Sequence, residues 1–487
     1  MNISILGAGK SGIAAAKLAK KKGNIVFLSE YSSDENFSEE INILDENNIE
    51  YEFGQHTLDK ILKSDIVISS PGIPPHAEII QNLVKNTINI IDETEFAYGF
   101  LKENKIIAVT GTNGKTTTAT LIHHIFSSCG KKSWLSGNIG IPLSTLVDKV
   151  QKDDFIIIEL SSYQLDRTFT LKPNIAIILN ISPDHISWHK TSEQYISAKW
   201  KITARQTKND LLVLPLSKDE VIPDNLKLGV GTNSKAQIAL VDTNNFSAND
   251  SGESSENLAE KINCGIVSSG GFIKFITQRK DCILSNSDKE EEILMPINEL
   301  ALRGKHNLYN SMAAAIAARR YEIPNEDIRD ALSDFSGVEH RLENVKIIDK
   351  VSYINDSKAT NINAVWFALS SFGISPLIWI AGGVGENDYS TLDKLVSKNV
   401  DQIISFGEES DNIFNHFSVL TKCTKVADLD EAVELSYKLA KENDIVLFSP
   451  ACKSFDSYTN YEQRGQHFKR IVRSLNNSNN SQEENFD

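Results

Sequence analysis

A chain of 487 residues is too long for one ordinary hydrophobic core, and its length predicts two to four domains, three being the working number. With 40% apolar and 24% charged residues it has the balance of a globular protein, and no run is long enough to cross a bilayer, so membrane insertion is not expected. A net charge of -15 excludes a nucleic-acid binder that works through a basic surface; five scattered cysteines without a C-x-x-C pair argue for reduced thiols, against a disulfide framework or zinc site.

Met1 runs straight into an apolar stretch, Ile3 to Leu6, without the basic segment and longer apolar run of a signal peptide, so the cytoplasm is the expected location. Gly7-Ala8-Gly9-Lys10-Ser11-Gly12 follows and opens a helix, a G-x-G-x-x-G turn that can hold a diphosphate at a helix N-terminus. With Glu30 at the end of the next apolar run, this turn taken alone reads as a dinucleotide site, which gives an NAD-dependent oxidoreductase as the alternative function. Further Ile/Val-rich runs at 65–69, 106–109, 155–159, 175–179, 377–380, 402–406 and 444–448 alternate with helical patterns, and predict an α/β protein with doubly wound parallel sheets. Boundaries near 99–103 and at Gly337 give domains over 1–100, 101–338 and 339–475. Residues 240–290, rich in Asn, Ser, Asp and Glu, read as a surface elaboration and not a site, and 476–487 as a disordered tail.

The most informative segment is Ile106-Ile107-Ala108-Val109-Thr110-Gly111-Thr112-Asn113-Gly114-Lys115-Thr116-Thr117, where a strand enters a glycine-rich turn and a helix starts at the lysine. Backbone N–H groups of such a turn cradle phosphates, Lys115 supplies a cation, and Thr116 can offer its hydroxyl to Mg²⁺. The common G-x-x-x-x-G-K-[ST] spacing would place glycine where this chain has Val109. The form T-G-T-N-G-K-T-T instead resembles the loop of Mur ligases and folylpolyglutamate synthetases. Glu159-Leu160-Ser161-Ser162, Asn180-Ile181-Ser182-Pro183-Asp184-His185 and Ala198-Lys199 followed by Ile202 also resemble Mur ligase segments, and the likeness covers almost the whole chain. Asn355-Asp356-Ser357-Lys358-Ala359-Thr360-Asn361, Ser449-Pro450-Ala451-Cys452-Lys453-Ser454-Phe455-Asp456 and Tyr461-Glu462-Gln463-Arg464-Gly465 resemble the member of that family that adds D-glutamate.

The resemblance implies a Rossmann-like N-terminal domain, a central ATPase-like sheet with the phosphate loop, and a Rossmann-like C-terminal domain. It implies ATP and Mg²⁺ as cofactors, UDP-N-acetylmuramoyl-L-alanine and D-glutamate as substrates, and a monomer. The first glycine turn, with Lys10 and Ser11, would then hold UDP, helped by Ser70 and Gly72 in Ser69-Ser70-Pro71-Gly72-Ile73-Pro74. Gly111, Thr112, Asn113, Gly114, Lys115, Thr116 and Thr117 would hold ATP phosphates, with Asn307 and Asn310 near the adenine and His340, Arg341 and Asp356 on the nucleotide. Asn138 and Ser161 would contact substrate; Lys358 would face the phosphates, and Thr360, Ser454, Phe455 and Tyr461 would line the glutamate site. Lys115, His185, Lys199 and Lys358 would be the catalytic set, with Thr116, Glu159, His185 and a carbamylated Lys199 around the metal. For Glu159 and Lys199 the residues give independent reasons. A carboxylate at the end of a buried strand is costly without a partner, which a cation supplies. A capping-box start at Thr191-Ser192-Glu193-Gln194 puts Tyr195, Ala198, Lys199 and Ile202 on one mostly apolar helix side, where the neutral amine is favoured; a lysine snorkelling to solvent is the competing reading. Glu386, after Ala381-Gly382-Gly383-Val384-Gly385, stands about where many relatives carry a cation for the glutamate side chain, so Lys453 or Lys358 is expected to substitute or the amino-acid preference to differ. An inactive nucleotide-binding regulator is the third function considered.

Overall fold

The computed structural model describes residues 1–182, 184, 186–216, 236–243, 264–277, 284, 291–302, 304–335, 337, 339–370, 372, 376–385 and 387–475. The chain divides into two compact units between residues 335 and 336.

The first unit holds two sheets. Strands β1 (Asn2–Leu6), β2 (Ile25–Ser29), β3 (Glu50–Glu52), β4 (Ile66–Ser69) and β5 (Asn89–Ile91) form a parallel sheet in the order β3-β2-β1-β4-β5. Because side chains alternate along a strand, Ile3, Ile5, Val26 and Leu28 face the alanine-rich side of the helix Lys10–Lys21, while Leu6, Phe27 and Val67 face Ile79, Ile80 and Leu83 of the helix Glu78–Lys85. The glycine turn between β1 and its helix is sterically demanded: a Cβ on Gly12 would stand 2.0 Å from the carbonyl oxygen of Gly7.

The second sheet comprises β6 (Lys105–Thr110), β7 (Ser133–Gly137), β8 (Phe155–Glu159), β9 (Ile175–Ile178), β10 (Leu211–Pro215), β11 (Gln237–Asp242), β12 (Cys264–Ser269), β13 (Phe272–Thr277) and β14 (Glu291–Pro296), in the order β14-β13-β12-β11-β10-β9-β6-β8-β7. All pairings are parallel except β12 with β13 and β13 with β14. Ile106, Ile107, Ala108 and Val109 of β6 and Ile156, Ile157 and Ile158 of β8 are covered on both faces, which is why these runs carry no polar alternation. Val109 lies inside the strand, so the loop proper begins at Gly111. Strands β8 and β9, consecutive in the chain, flank β6 on opposite sides, and α/β sheets hold ligands at the carboxyl ends of strands where the order reverses in this way.

The reading of 240–290 as surface elaboration is corrected in its described part: β11, β12 and β13 extend the central sheet, and β12 and β13 turn tightly through Gly270-Gly271, both at positive φ. Residues 244–263 and the expected tail at 476–487 lie outside the described residues.

In the second unit, β15 (Glu343–Ile348), β16 (Val351–Asn355), β17 (Leu377–Gly382), β18 (Val400–Phe406), β19 (Lys422–Lys425) and β20 (Ile445–Phe448) form a sheet in the order β15-β16-β20-β17-β18-β19, parallel except for the β15–β16 pair. Trp379, Leu447 and Val365 lie in a core on one face, and Ile380, Phe448 and Phe468 in a core on the other.

Candidate active site

The phosphate loop leaves the end of β6 and closes onto the helix Lys115–Ser128. Gly114 caps that helix at φ 85°, where a Cβ would stand 2.5 Å from the Asn310 side-chain oxygen. The loop is sewn to the chain leaving β9: Thr112 donates its N–H to the Asn180 carbonyl (2.9 Å), Asn113 donates its N–H to the Asn180 side chain (2.8 Å), and the Ser182 N–H donates to Thr112 Oγ1 (3.0 Å). Thr112 Oγ1 also meets the Tyr195 hydroxyl at 3.0 Å. Lys115 donates to the carbonyls of Gly111 and Thr112, both at 2.9 Å. Thr116 and Thr117 are buried in the first helical turn, and Thr117 Oγ1 has no hydrogen-bond partner among the described residues. Asn310 and Asn307 are buried on the helix Lys305–Arg320, with 3.4 Å between Asn310 Nδ2 and Asn307 Oδ1.

Glu159 ends β8 and is 1% exposed. Its Oε1 accepts from Asn138 Nδ2 at 2.8 Å, and its Oε2 has no hydrogen-bond partner among the described residues. Lys199 is equally buried, as are Tyr195, Ala198 and Ile202, so the snorkelling alternative fails. Its Nζ donates to the Gly111 carbonyl at 2.7 Å. Burial, then the charge of Lys115, pushes the Lys199 amine well below the usual lysine range, against the pull of Asp184 and Glu159. Thr191 caps its helix as expected, accepting from the Gln194 N–H at 3.3 Å. A reciprocal capping box appears elsewhere: Ser161 caps the helix Ser162–Asp166 with Gln164, so the hydroxyl expected to meet substrate is held at a helix start. His185 lies outside the described residues, as does Glu386.

Around β1 a cleft of about 720 Å³ is lined by Gly7, Gly9, Glu30, Ser70, Gly72 and Ile73, among others; Lys10 and Ser11 stand in the first turn of the adjoining helix and are not among its lining residues. Glu30 accepts the Ala8 N–H at 2.8 Å and the Ser32 N–H at 2.9 Å, one on each oxygen, so it holds the backbone of the cleft in place.

In the second unit the buried Asp356 accepts from Ser449 Oγ (2.7 Å) and the Leu342 N–H (3.2 Å); burial pushes its carboxyl up to about 7, partly opposed by these bonds and by Arg341. His340, at φ 64°, meets Asn355 Nδ2 at 2.9 Å. Lys358 stands 5.4 Å from the Tyr461 ring centroid. Ser454 is buried, Thr360 is half-buried, and Phe455 is 68% exposed. Arg464 went unassigned from sequence, yet it ties these segments together: fully buried, it donates to Ser357 Oγ and to the carbonyls of Ser357, Gly382, Cys452 and Lys453. Only its place beside Tyr461 in a quoted motif marked it.

The model of the Mur ligase middle domain matches residues 109–318, that of the Mur ligase glutamate ligase domain 340–452, and that of the MurD N-terminal domain 2–79. A protein of Salinibacter ruber named UDP-N-acetylmuramoylalanine--D-glutamate ligase is 37% identical over 481 residues, covering 97% of each chain. One of the same name from Bacteroides fragilis is 39% identical over 485 residues, covering 97% of this chain and 99% of its own. Among solved structures, the UDP-N-acetylmuramate-alanine ligase MurC of Thermotoga maritima superposes with a TM-score of 0.55 at 19% identity, covering 97% of this chain and 99% of that one. None of these matches supports the oxidoreductase alternative, and with full-length relatives this similar and a phosphate loop built as described, the chain belongs to the Mur ligase family.

Proposed function

We propose that this enzyme joins D-glutamate to UDP-N-acetylmuramoyl-L-alanine at the expense of ATP. The observation that carries the reading is the strand-end cluster of the central sheet: a glycine-rich loop with Lys115, a buried Glu159 with one oxygen unpartnered, and a buried Lys199 on the loop carbonyl. A buried carboxylate oxygen left without a donor fits a hard cation, so Mg²⁺ would be held by Glu159, Thr116 and Lys199, the last as a carbamate, with His185 contributing. When bound, Mg²⁺ would neutralise charge on the transferring phosphoryl group.

The γ-phosphoryl group of ATP passes to an oxygen of the alanyl carboxylate, giving an acyl phosphate and ADP. The amine of glutamate attacks the acyl carbon, the C–O bond to phosphate breaks, and the nitrogen gives up a proton as the amide forms. The phosphate loop N–H groups and Lys115 hold the nucleotide phosphates, and their contribution is positioning and charge, not covalent chemistry. The cleft beside β1 takes the UDP portion, with Ser70 and Gly72 in its wall. Asn138 and Ser161 belong with the substrate; Asn307, Asn310, Arg341 and Asp356 belong with the nucleotide, Lys358 with its phosphates, and Thr360, Ser454, Phe455 and Tyr461 with glutamate. The working unit of this reading is a monomer. The supply of ATP is the reason to assign the reaction to the cytoplasm.

The test is phosphate release from ATP with each substrate omitted in turn. Release that needs both UDP-N-acetylmuramoyl-L-alanine and D-glutamate is expected; release independent of either, or ATP binding without turnover, would overturn the reading.

A further inference from the structure

Arg167 follows the helix Ser162–Asp166 and is 7% exposed, and among the described residues it has no carboxylate ion pair. Its Nη1 donates to Ser69 Oγ at 2.5 Å and lies 3.5 Å from the Ser70 carbonyl, and its Nη2 donates to the Ile73 carbonyl at 2.8 Å. Its own carbonyl accepts the Asp92 N–H at 3.0 Å, and Asp92 in turn caps the helix Glu93–Tyr98 that precedes β6. The guanidinium carbon stands 6.0 Å from the ring centroid of Trp188, which lies 4.2 Å from the ring of Tyr163. A charge this deeply buried is costly, and here its direct contacts are a hydroxyl, carbonyls and a ring face, with Asp92 and Asp166 acting on it only through their charge, without an ion pair. What the arrangement yields is geometry: the planar fork fixes two points of one loop at once, which an ammonium does not do.

That loop, Ser70 to Pro74, belongs to no strand or helix and forms part of the wall of the cleft beside β1. The chain carrying Arg167 starts from Glu159, which pairs in register with Val109 just before the phosphate loop, and from Ser161, which caps the helix Ser162–Asp166. One buried guanidinium therefore ties the cleft of the first sheet to the strand ends of the second. We propose that Arg167 is a positioning residue for the uridine-bearing substrate: it fixes the cleft wall at a set distance from the phosphate loop, so that a substrate anchored by its UDP end presents its carboxylate there. This rests on the function proposed above.

The test measures UDP binding by calorimetry, and separately KM for UDP-N-acetylmuramoyl-L-alanine and for ATP, in the wild type, Arg167→Ala, Arg167→Lys and Ser69→Ala. We expect Arg167→Ala to weaken UDP binding and raise KM for the uridine substrate about tenfold or more, with KM for ATP unchanged. Lysine should restore little of this, because it keeps the charge and loses the fork. Ser69→Ala, which removes a single acceptor, should shift the same constant in the same direction by less, and it carries the test if Arg167→Ala does not fold. A wild-type KM for the uridine substrate in these variants, or a parallel rise in both KM values, would overturn the proposal. A wild-type protein that binds no UDP would instead sink the functional reading on which it stands.

Discussion

Lys115 and Lys199 share one acceptor: the carbonyl oxygen of Gly111 takes a hydrogen bond from Lys115 Nζ at 2.9 Å and from Lys199 Nζ at 2.7 Å. Two ammonium groups on one carbonyl repel, and the more buried of them gives way. Lys199 is that one, so its neutral, CO₂-reactive amine is the form its surroundings favour. Reaction with CO₂ releases a proton and leaves an anionic oxygen pair, which ends the repulsion and suits a hard cation. Lys199→Ala should therefore lose most activity and regain part of it with a short carboxylic acid, and ¹³C-labelled bicarbonate should give a carbamate resonance in the wild type that the variant lacks. A fully active Lys199→Ala enzyme would remove this role.

Lys115→Ala should leave the fold in place, because its two bonds to loop carbonyls contribute only about 1 kcal/mol each, while turnover should fall by about a hundredfold or more as a charge beside the phosphates is lost. Circular dichroism and phosphate release on one preparation separate the two effects. Near-normal turnover would end the phosphate-loop assignment.

Glu159→Gln keeps an oxygen for Asn138 Nδ2 and removes a buried negative charge. In the absence of Mg²⁺ the variant should melt at the same temperature as the wild type or higher, since a carboxylate with an orphan oxygen is costly there. The stabilisation that Mg²⁺ with ATP gives the wild type should shrink, because the stability a ligand adds grows with the logarithm of its affinity for the folded state. An unchanged Mg²⁺ response would exclude Glu159 as a ligand.

Asp356 supplies a pH prediction. Its carboxyl titrates at about 7 when folded against about 3.9 unfolded, so between these values the folded state holds the extra proton. Its contribution is full below the unfolded value and is lost as pH rises through the folded one; above about 7 the carboxylate is ionised in its buried setting. The melting temperature should fall between pH 5 and 8, and Asp356→Asn, which can keep both bonds with its amide turned toward Ser449, should fall less. Equal slopes would show that another group sets the dependence; Asp92 and Glu93, also buried and raised to about 6 and about 7, are the alternatives.

The eight apolar runs read from sequence coincide with strands to within one or two residues, because buried parallel strands declare themselves by continuous Ile and Val. Some of what escaped has a physical pattern, although β10, a buried parallel strand Leu211–Pro215 with a continuous apolar run, was also passed over. Strand β7, Ser133–Gly137, carries too few apolar residues to stand out, and the β12–β13 hairpin sat in a window whose polar composition outweighed its Gly270-Gly271 turn signal. The phosphate loop and Glu159 were legible because each is a local string. Arg167 and Arg464 were not: the acceptors of Arg167 lie 94 to 98 positions away, and Arg464 joins carbonyls 11 and 12 positions back to acceptors 82 and 107 positions back, a set that no local pattern encodes.

The amino-acid site gives the last prediction. An acidic amino acid needs a cation for its side-chain carboxylate, and the sequence puts Glu386, itself outside the described residues, where an acid would repel it. The loop before it is pinned: Val384 donates its N–H to the Lys453 carbonyl at 2.9 Å, and Lys453 returns the bond at 3.0 Å, so residue 453 is fixed beside the segment that leads to 386. The Lys453 side chain is exposed, next to the buried Ser454, whereas Arg464 already directs its donors to five protein acceptors. Among the described residues Lys453 is thus a cation placed to compensate, with Lys358, assigned above to the phosphates, as the other candidate. Lys453→Ala should raise KM for D-glutamate about tenfold while leaving KM for ATP unchanged, on the scale of a lost charge-assisted hydrogen bond. Adding Glu386→Lys should restore much of that loss, because it exchanges the repelling acid for a second cation. A panel of D- and L-amino acids on the wild type sets the frame: best use of D-glutamate is expected, and best use of L-glutamate or a neutral amino acid would mean that the glutamate assignment is wrong, whatever Lys453 does.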